Sequence, residues 1–220
     1  MTETAETDEA GTASGARRNR VVLIRHGATE WSESGQHTGR TDLPLLPRGE
    51  DDARRAGRRL EGQHFALVLV SPLQRARHTC ELAGYGDQAV VEDDLLEWDY
   101  GDAEGRTTAQ MREEYPGWTV WDGPIPGGET IEQVATRVDR VIARATAADG
   151  DVALFGHGHS LRILTARWCD LDPREGKRFP LGTATYCELR LGARVPHRVD
   201  LERAVGPVHG RDDGLHYRRR

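Results

Sequence analysis

The chain has 220 residues, 37% of them hydrophobic and 30% charged, with a net charge of −6 at pH 7. That length suits one α/β domain with a substantial core. The negative balance gives no general basic field for nucleic acid, no apolar run approaches the ~18 residues of a membrane span, and the first residues lack a signal-peptide core. Cys80, Cys169 and Cys187 are widely spaced and form no CxxC pair. The expectation is a reduced, cytoplasmic setting in which they are small core residues.

Residues 1–19 are rich in Thr, Glu, Ala and Gly, lack an apolar period and read as a disordered tail. The run Val21-Val22-Leu23-Ile24 then leads into Arg25-His26-Gly27. Such an unbroken apolar run predicts a buried strand of a parallel sheet, over about 20–26. The polar triplet falls at its carboxyl end, the edge where open α/β sheets bind ligands. Arg25 brings a planar cationic fork suited to phosphate, and His26 a nitrogen that can be a nucleophile near neutral pH. A strand end that merely carries Arg and His would look the same, so the rest of the chain decides. The cluster Arg17-Arg18-Asn19-Arg20 reads as a solvated flank. Thr29 to Pro47 reads as a long functional loop dense in Thr, Ser, Gln and His. A helix follows over 48–60, with Ala53, Ala56, Gly57 and Leu60 inward and its acids ahead of its arginines.

A second strand is predicted over 65–70. Ser71 as cap and Pro72 at the first helical position then open a helix, which sets Arg75 in a first turn, where anions are favoured. A third strand is predicted near 89–92, and Glu97 follows it among Leu95, Leu96 and Trp98. A carboxyl in apolar company favours its protonated form, as a general acid requires, although a surface acid in an acidic loop is the rival reading. Residues 101–128, rich in Gly, Pro and Trp, read as a cap-like excursion, with a capping box at Thr107-Thr108-Ala109-Gln110. Trp118 and Trp121 either line a substrate mouth or pack on the sheet. A second capping box at Thr130 opens a helix with the stripe Ile131, Val134, Val138, Val141, Ile142 and Ala145, running to Asp149-Gly150. The fourth strand, 152–155, ends at Gly156-His157-Gly158-His159-Ser160, and a helix begins there. Segments 184–191 and 197–204 alternate like edge strands; 205–220 reads as a loose tail.

Arg25, His26, Arg75, Glu97 and His157 each follow a predicted strand, so parallel strands would bring two arginines, two histidines and one carboxyl to one edge. Arg25-His26-Gly27, Ser71-Pro72-Leu73-Gln74-Arg75-Ala76, Glu97 with Tyr100-Gly101 and Glu104-Gly105, and Gly156-His157-Gly158 resemble, in order, the motifs of the histidine phosphatase superfamily. The resemblance spans roughly residues 20–190. It implies a three-layer α/β/α sandwich with a mostly parallel central sheet, phosphoglycerate mutase-like, occupying 20–204. By the same resemblance His26 is the phosphorylated nucleophile, Arg25, Arg75 and His157 bind phosphate, and Glu97 is the proton donor.

Within that superfamily the mutase pattern has Asn where Ser32 stands, Arg where Trp98 stands and Lys where Thr108 stands, and its basic insert is replaced here by 101–128. Hydrolysis is therefore expected over mutase transfer. The stretches 31–39 and 41–44 resemble the sedoheptulose-1,7-bisphosphatase branch, and Leu96 to Gly101 resembles both that branch and actinobacterial acid phosphatases. This implies a phosphatase of sugar phosphates or other small phosphomonoesters. Thr29, Ser32, Gln36, Thr38, Gly39, Trp98, Tyr100 and Gly158 are the candidate phosphate or substrate contacts, although a loop bonding to itself would use the same residues. No metal or other cofactor is expected. His157-Gly158-His159 as a metal pair, and a non-catalytic phospho-ligand module, are the other readings. The expected partner is a small phosphorylated substrate, with no nucleic acid or membrane, and the edge segments offer a surface on which a homodimer could pair.

Overall fold

The computed structural model describes residues 20–190 and, as backbone only, 191 and 197–200. The tails expected at 1–19 and 205–220 lie outside the described residues. Six strands form one sheet: β1 (Arg20–Arg25), β2 (Leu67–Val70), β3 (Ala89–Val91), β4 (Val152–Gly156), β5 (Tyr186–Leu191) and β6 (His197–Asp200), in the order β3-β2-β4-β1-β5-β6. The pairs β3-β2, β2-β4 and β4-β1 are parallel; β1-β5 and β5-β6 are antiparallel. The sheet is thus mostly parallel with an antiparallel edge, as expected. The helices are α1 (Glu30–Ser34), α2 (Pro47–Arg59), α3 (Gln74–Leu82), α4 (Thr108–Glu114), α5 (Ile131–Thr146) and α6 (Gly158–Trp168).

Alternation along the strands divides the core in two. Val22, Ile24, Val68, Val70, Ala153 and Phe155 pack on one face with Leu60 after α2 and with Ala76 and Cys80 of α3. Val21, Leu23, Leu69, Val152 and Leu154 pack on the other with the α5 stripe of Val134, Val138, Val141 and Ala145 and with Leu161, Leu164 and Trp168 of α6. Apolar side chains on both faces are why the central strands read as unbroken apolar runs. Arg20, at the start of β1, is a buried-side anchor rather than a solvated flank: it bonds Asp151 at 2.9 and 3.0 Å and Glu188 at 2.9 Å. Cys80 and Cys187 are buried, as expected of small core residues, Cys169 is half-buried, and none of the three is in a disulfide. No helix of the described residues is long and apolar enough to cross a membrane.

Several boundaries and one cap differ from the sequence reading. The stretch after Thr29 is not all loop: Thr29 and Ser32 form a capping box that opens the short helix α1. That helix stays invisible to periodicity because it buries no residue. β2 begins at Leu67 instead of 65, and α5 ends at Thr146, short of Asp149. Ser71 does not cap α3, whose first residue is Gln74 and whose cap is Leu73. The Ser71 hydroxyl has a different partner.

Candidate active site

The site lies where the carboxyl ends of the parallel strands meet. β1 and β4 run side by side with Arg25 opposite Gly156, which brings the two histidines that follow them together at a ring separation of 5.2 Å. That is close to the ~4.8 Å spacing of adjacent strands. His26 Nδ1 lies 2.7 Å from the Gly27 carbonyl oxygen. A carbonyl can only accept, so Nδ1 carries the proton and Nε2 the lone pair. Burial first, and then the charges of Arg25 and Arg75, hold the His26 pKa well below its ordinary value. The result is a buried neutral imidazole with one defined nucleophilic nitrogen. Gly27 is needed for this turn: a Cβ there would meet the Gly49 carbonyl oxygen of α2 at 2.3 Å.

His157 caps α6 and has the opposite tautomer. Arg75 Nε donates to its Nδ1 at 3.1 Å, so Nε2 carries the proton and donates to Ser71 Oγ at 2.7 Å. Burial, then Arg75, keep this ring neutral as well. Ser71, which sequence reasoning reads as a helix cap, is therefore the anchor of the second histidine. Thr79 also went unread: its hydroxyl accepts the Gly27 N–H at 3.0 Å and donates to the Arg75 carbonyl at 2.7 Å, so it ties α3 to the turn after β1.

The two arginines differ. Arg25 donates through Nη1 to the Leu181 carbonyl at 2.7 Å, while its buried Nε has no hydrogen-bond partner. An unsatisfied guanidinium N–H beside two histidines is a waiting anion contact. Arg75 is fully buried and largely committed. Besides His157 it holds the carbonyls of Thr41 at 2.9 Å, Thr38 at 3.2 Å and Gly39 at 2.9 Å. It offers an anion its charge and one remaining Nη1 N–H. The same loop is held from its other side by Glu104, whose carboxylate accepts the N–H groups of Gly39, Arg40 and Thr41 at 2.9 to 3.3 Å.

Glu97 is buried, but its surroundings are not the apolar ones that its sequence neighbours suggest. Its carboxyl accepts three backbone N–H groups: Trp98 and Ser160 on Oε1 at 2.9 and 2.8 Å, and His159 on Oε2 at 3.0 Å. Two of these belong to the first turn of α6, where orphan donors are available. From behind, the buried Arg137 of α5 grips the carbonyls of Asp94, Leu96 and Glu97 at 2.9, 2.6 and 3.0 Å and pairs with Glu129 at 2.9 Å. Arg137 lies on the predicted helix, but nothing in its spacing marks it as a site residue.

The remaining candidates divide. Tyr100, which burial and the charge of Glu97 push well above the usual phenol range, lies 2.6 Å from His159 Nδ1. Trp98 stacks on Tyr100 and donates to the Glu129 carbonyl. Gly158 lets the Arg25 guanidinium lie against α6, since a Cβ would approach Arg25 Cζ to 3.2 Å. Thr29 and Ser32 use their side chains on the α1 cap, Gln36 donates to the Gly105 carbonyl at 2.7 Å, and Thr38 Oγ1 bonds the Gln36 carbonyl. These four serve the loop's own structure, and Gly39 gives its N–H to Glu104. Trp118 is packed against His37 and inside the core, while half-buried Trp121 adjoins His159 at 5.2 Å. His157 and His159 turn to different partners, and no group of three or more His, Cys, Asp or Glu among the described residues could hold a metal ion.

Comparison with known proteins returns a consistent set. Residues 21–202 match the family model described as "Histidine phosphatase superfamily (branch 1)". The chain is 40% identical over 186 residues to an acid phosphatase of Mycobacterium tuberculosis, covering 82% of this chain and 91% of that one. It is 36% identical over 202 residues to sedoheptulose 1,7-bisphosphatase of Saccharomyces cerevisiae, covering 77% and 70%. A 2,3-bisphosphoglycerate-dependent phosphoglycerate mutase of Methylorubrum extorquens matches at 36% over 66% of this chain and 76% of its own. Among solved structures, mycobacterial glucosyl-3-phosphoglycerate phosphatase superposes with a TM-score of 0.74 at 26% identity, covering 84% of this chain and 98% of that one.

Proposed function

The chain belongs to the histidine phosphatase superfamily, and from that we propose that it hydrolyses small phosphomonoesters, sugar phosphates in particular, through a phosphohistidine on His26 and without a metal ion. Residues 20–204 form its catalytic domain, with 101–128 as a cap beside the site, and the protein works in the cytoplasm. The observation that carries the reading is the Nδ1 bond of His26 to Gly27, which leaves Nε2 as a lone-pair nitrogen in a buried, cationic setting.

In the first step His26 Nε2 attacks phosphorus in line, and the bond from phosphorus to the leaving oxygen breaks. Arg25 Nε and the free N–H of Arg75 stabilise the charge on the equatorial oxygens, while His157, its two ring nitrogens taken by Arg75 and Ser71, holds the Arg75 guanidinium in place. Glu97 gives its proton to the leaving alkoxide, which departs as alcohol. Oε1 already accepts two N–H groups and Oε2 only one, so Oε2 is the oxygen with room for that proton. In the second step a water gives a proton to Glu97 while its oxygen attacks phosphorus. The P–N bond breaks and its electron pair returns to His26.

A mutase must hold its phospho-acid and keep water out. The positions that carry Arg and Lys in the mutase pattern are occupied by Trp98, stacked on Tyr100, and Thr108, which lies against His37. Neither supplies a cation. Phosphate release from p-nitrophenyl phosphate and sedoheptulose 1,7-bisphosphate in the presence of EDTA tests the reading, together with acid-labile, base-stable labelling of His26. Hydrolysis with labelling is expected. Labelled protein that passes its phosphoryl group only to 3-phosphoglycerate would replace the phosphatase with a mutase, and loss of release in EDTA would remove the metal-free mechanism.

A further inference from the structure

The leaving alcohol must sit beside Glu97, because that carboxyl delivers its proton. Glu97 Oε2 is bound to the His159 N–H, so this side of the site is walled by α6 and what packs on it. His159 and Arg162 are three residues apart and share a face of α6. Half-buried Trp121 from the cap lies against both, at 5.2 Å from the His159 ring and 4.7 Å from the Arg162 guanidinium carbon. Arg162 donates through Nε to the Gly176 carbonyl at 3.1 Å and through Nη2 to the Lys177 carbonyl at 3.0 Å, which leaves both N–H groups of Nη1 and one of Nη2. Arg162 has no carboxylate partner among the described residues. Most other arginines of the described region are ion-paired, as Arg20, Arg40, Arg137 and Arg174 show. A cation fixed by two carbonyls and an indole face, and lacking a counter-ion at the mouth of an anion site, is placed for a charged ligand.

We propose that Arg162 is a specificity-determining residue that binds a second anionic group, phosphate or carboxylate, carried by the leaving alcohol. The inference deepens the phosphatase reading and rests on it for the position of the alcohol. Arg25 and Arg75 neutralise the transferred group, and Arg162 recognises the far end of the substrate. Burial and the neighbouring Arg25 charge lower the Arg162 pKa to about 10, as fits a cation that gains from an incoming anion. A structural clamp on residues 176–177 would use the same two carbonyl bonds, and the test separates the two roles.

Two measurements decide the matter. The first compares kcat/KM for sedoheptulose 1,7-bisphosphate and for p-nitrophenyl phosphate in the wild type, R162Q and R162K. A charge-assisted contact implies that the ratio of the two falls about tenfold or more in R162Q, mainly through KM, and that R162K recovers part of it. Equal losses on both substrates would make Arg162 a clamp. The second is calorimetry in an H26A background, which cannot turn ligand over, with and without R162Q. Sedoheptulose 1,7-bisphosphate and 3-phosphoglycerate are each compared with glucose 6-phosphate. Tighter binding of either ligand that carries a second anionic group, lost in R162Q, supports the proposal and tells phosphate from carboxylate. No preference in H26A, or uniform weakening in the double variant, overturns it. Failure of the wild type to hydrolyse p-nitrophenyl phosphate would refute the phosphatase reading, while the calorimetry still judges Arg162.

Discussion

Burial and two arginine charges keep His26 neutral, and one carbonyl decides which nitrogen can attack. A single residue is thus given both its charge state and its tautomer by groups within two positions of it in sequence or across the strand ends. Glu97 is set by the same kind of local accounting, with three N–H donors from Trp98, His159 and Ser160. Glu97→Gln keeps the shape but cannot give up a proton to an alkoxide. We expect its kcat to fall roughly 10²–10⁴-fold on alkyl phosphates, the range of general acid catalysis, and far less on p-nitrophenyl phosphate, whose leaving group needs no proton. A steady-state comparison of the two substrates measures this, and equal losses would remove Glu97 from the acid role. That Arg25, His26, Arg75, Glu97 and His157 meet at one edge of the sheet was legible because each follows a predicted strand. Their hydrogen bonds were not. Ser71 carried a strong helix-start signal, and only the meeting of β2 and β4 shows that its hydroxyl serves His157 instead.

Buried arginines act at the level of the element by holding loop carbonyls. Arg75 of α3 holds residues 38–41, Arg137 of α5 holds 94–97, and Arg162 of α6 holds 176–177. These segments lie outside the sheet and the α-helices, and a five-donor fork gives several of their carbonyls a partner at once. The helices themselves were readable from capping boxes at Thr107 and Thr130 and from the α5 stripe. Arg137 and Arg162 were not, since a charged residue on a helix most often faces water. Arg137→Leu should lower stability by about 3–5 kcal/mol, because Glu129 and three carbonyls lose their buried partner. It should also slow catalysis by releasing the segment that carries Glu97. Urea denaturation with parallel kinetics checks both, and a loss under ~1 kcal/mol would show that the grip contributes little.

Across the whole molecule, the sheet gathers its titratable groups at one edge, and three of them, His26, His157 and His159, are held neutral well below the ordinary imidazole range, chiefly by burial. In the unfolded chain these rings take up protons near pH 6.5. In the native chain they do so only at lower pH. Native stability from this source is complete above pH 6.5 and is lost as pH falls below it, by about 1.4 kcal/mol per pH unit for each ring until its native pKa is reached. Urea midpoints at pH 7.5 and 5.5 should therefore differ clearly, and equal midpoints would mean that the rings are protonated in the native state. The fold class was legible from the apolar runs at 21–24 and 152–155, which only a doubly covered sheet explains. The strand order was not, because which parallel strand lies beside which depends on pairings between distant segments.

One of those pairings has a kinetic consequence. β1 reaches its parallel neighbour β4 across a long excursion of chain: Arg20 bonds Asp151, 131 residues away in sequence. The two histidines directly follow those two strands, so His26 and His157 do not meet in any partly assembled state that lacks this closure. Loops of that length close late and pair slowly. During refolding from urea, helical circular dichroism should recover first and turnover last, with turnover tracking the slowest phase. The enzyme's own reaction then becomes a clock for its final topological step.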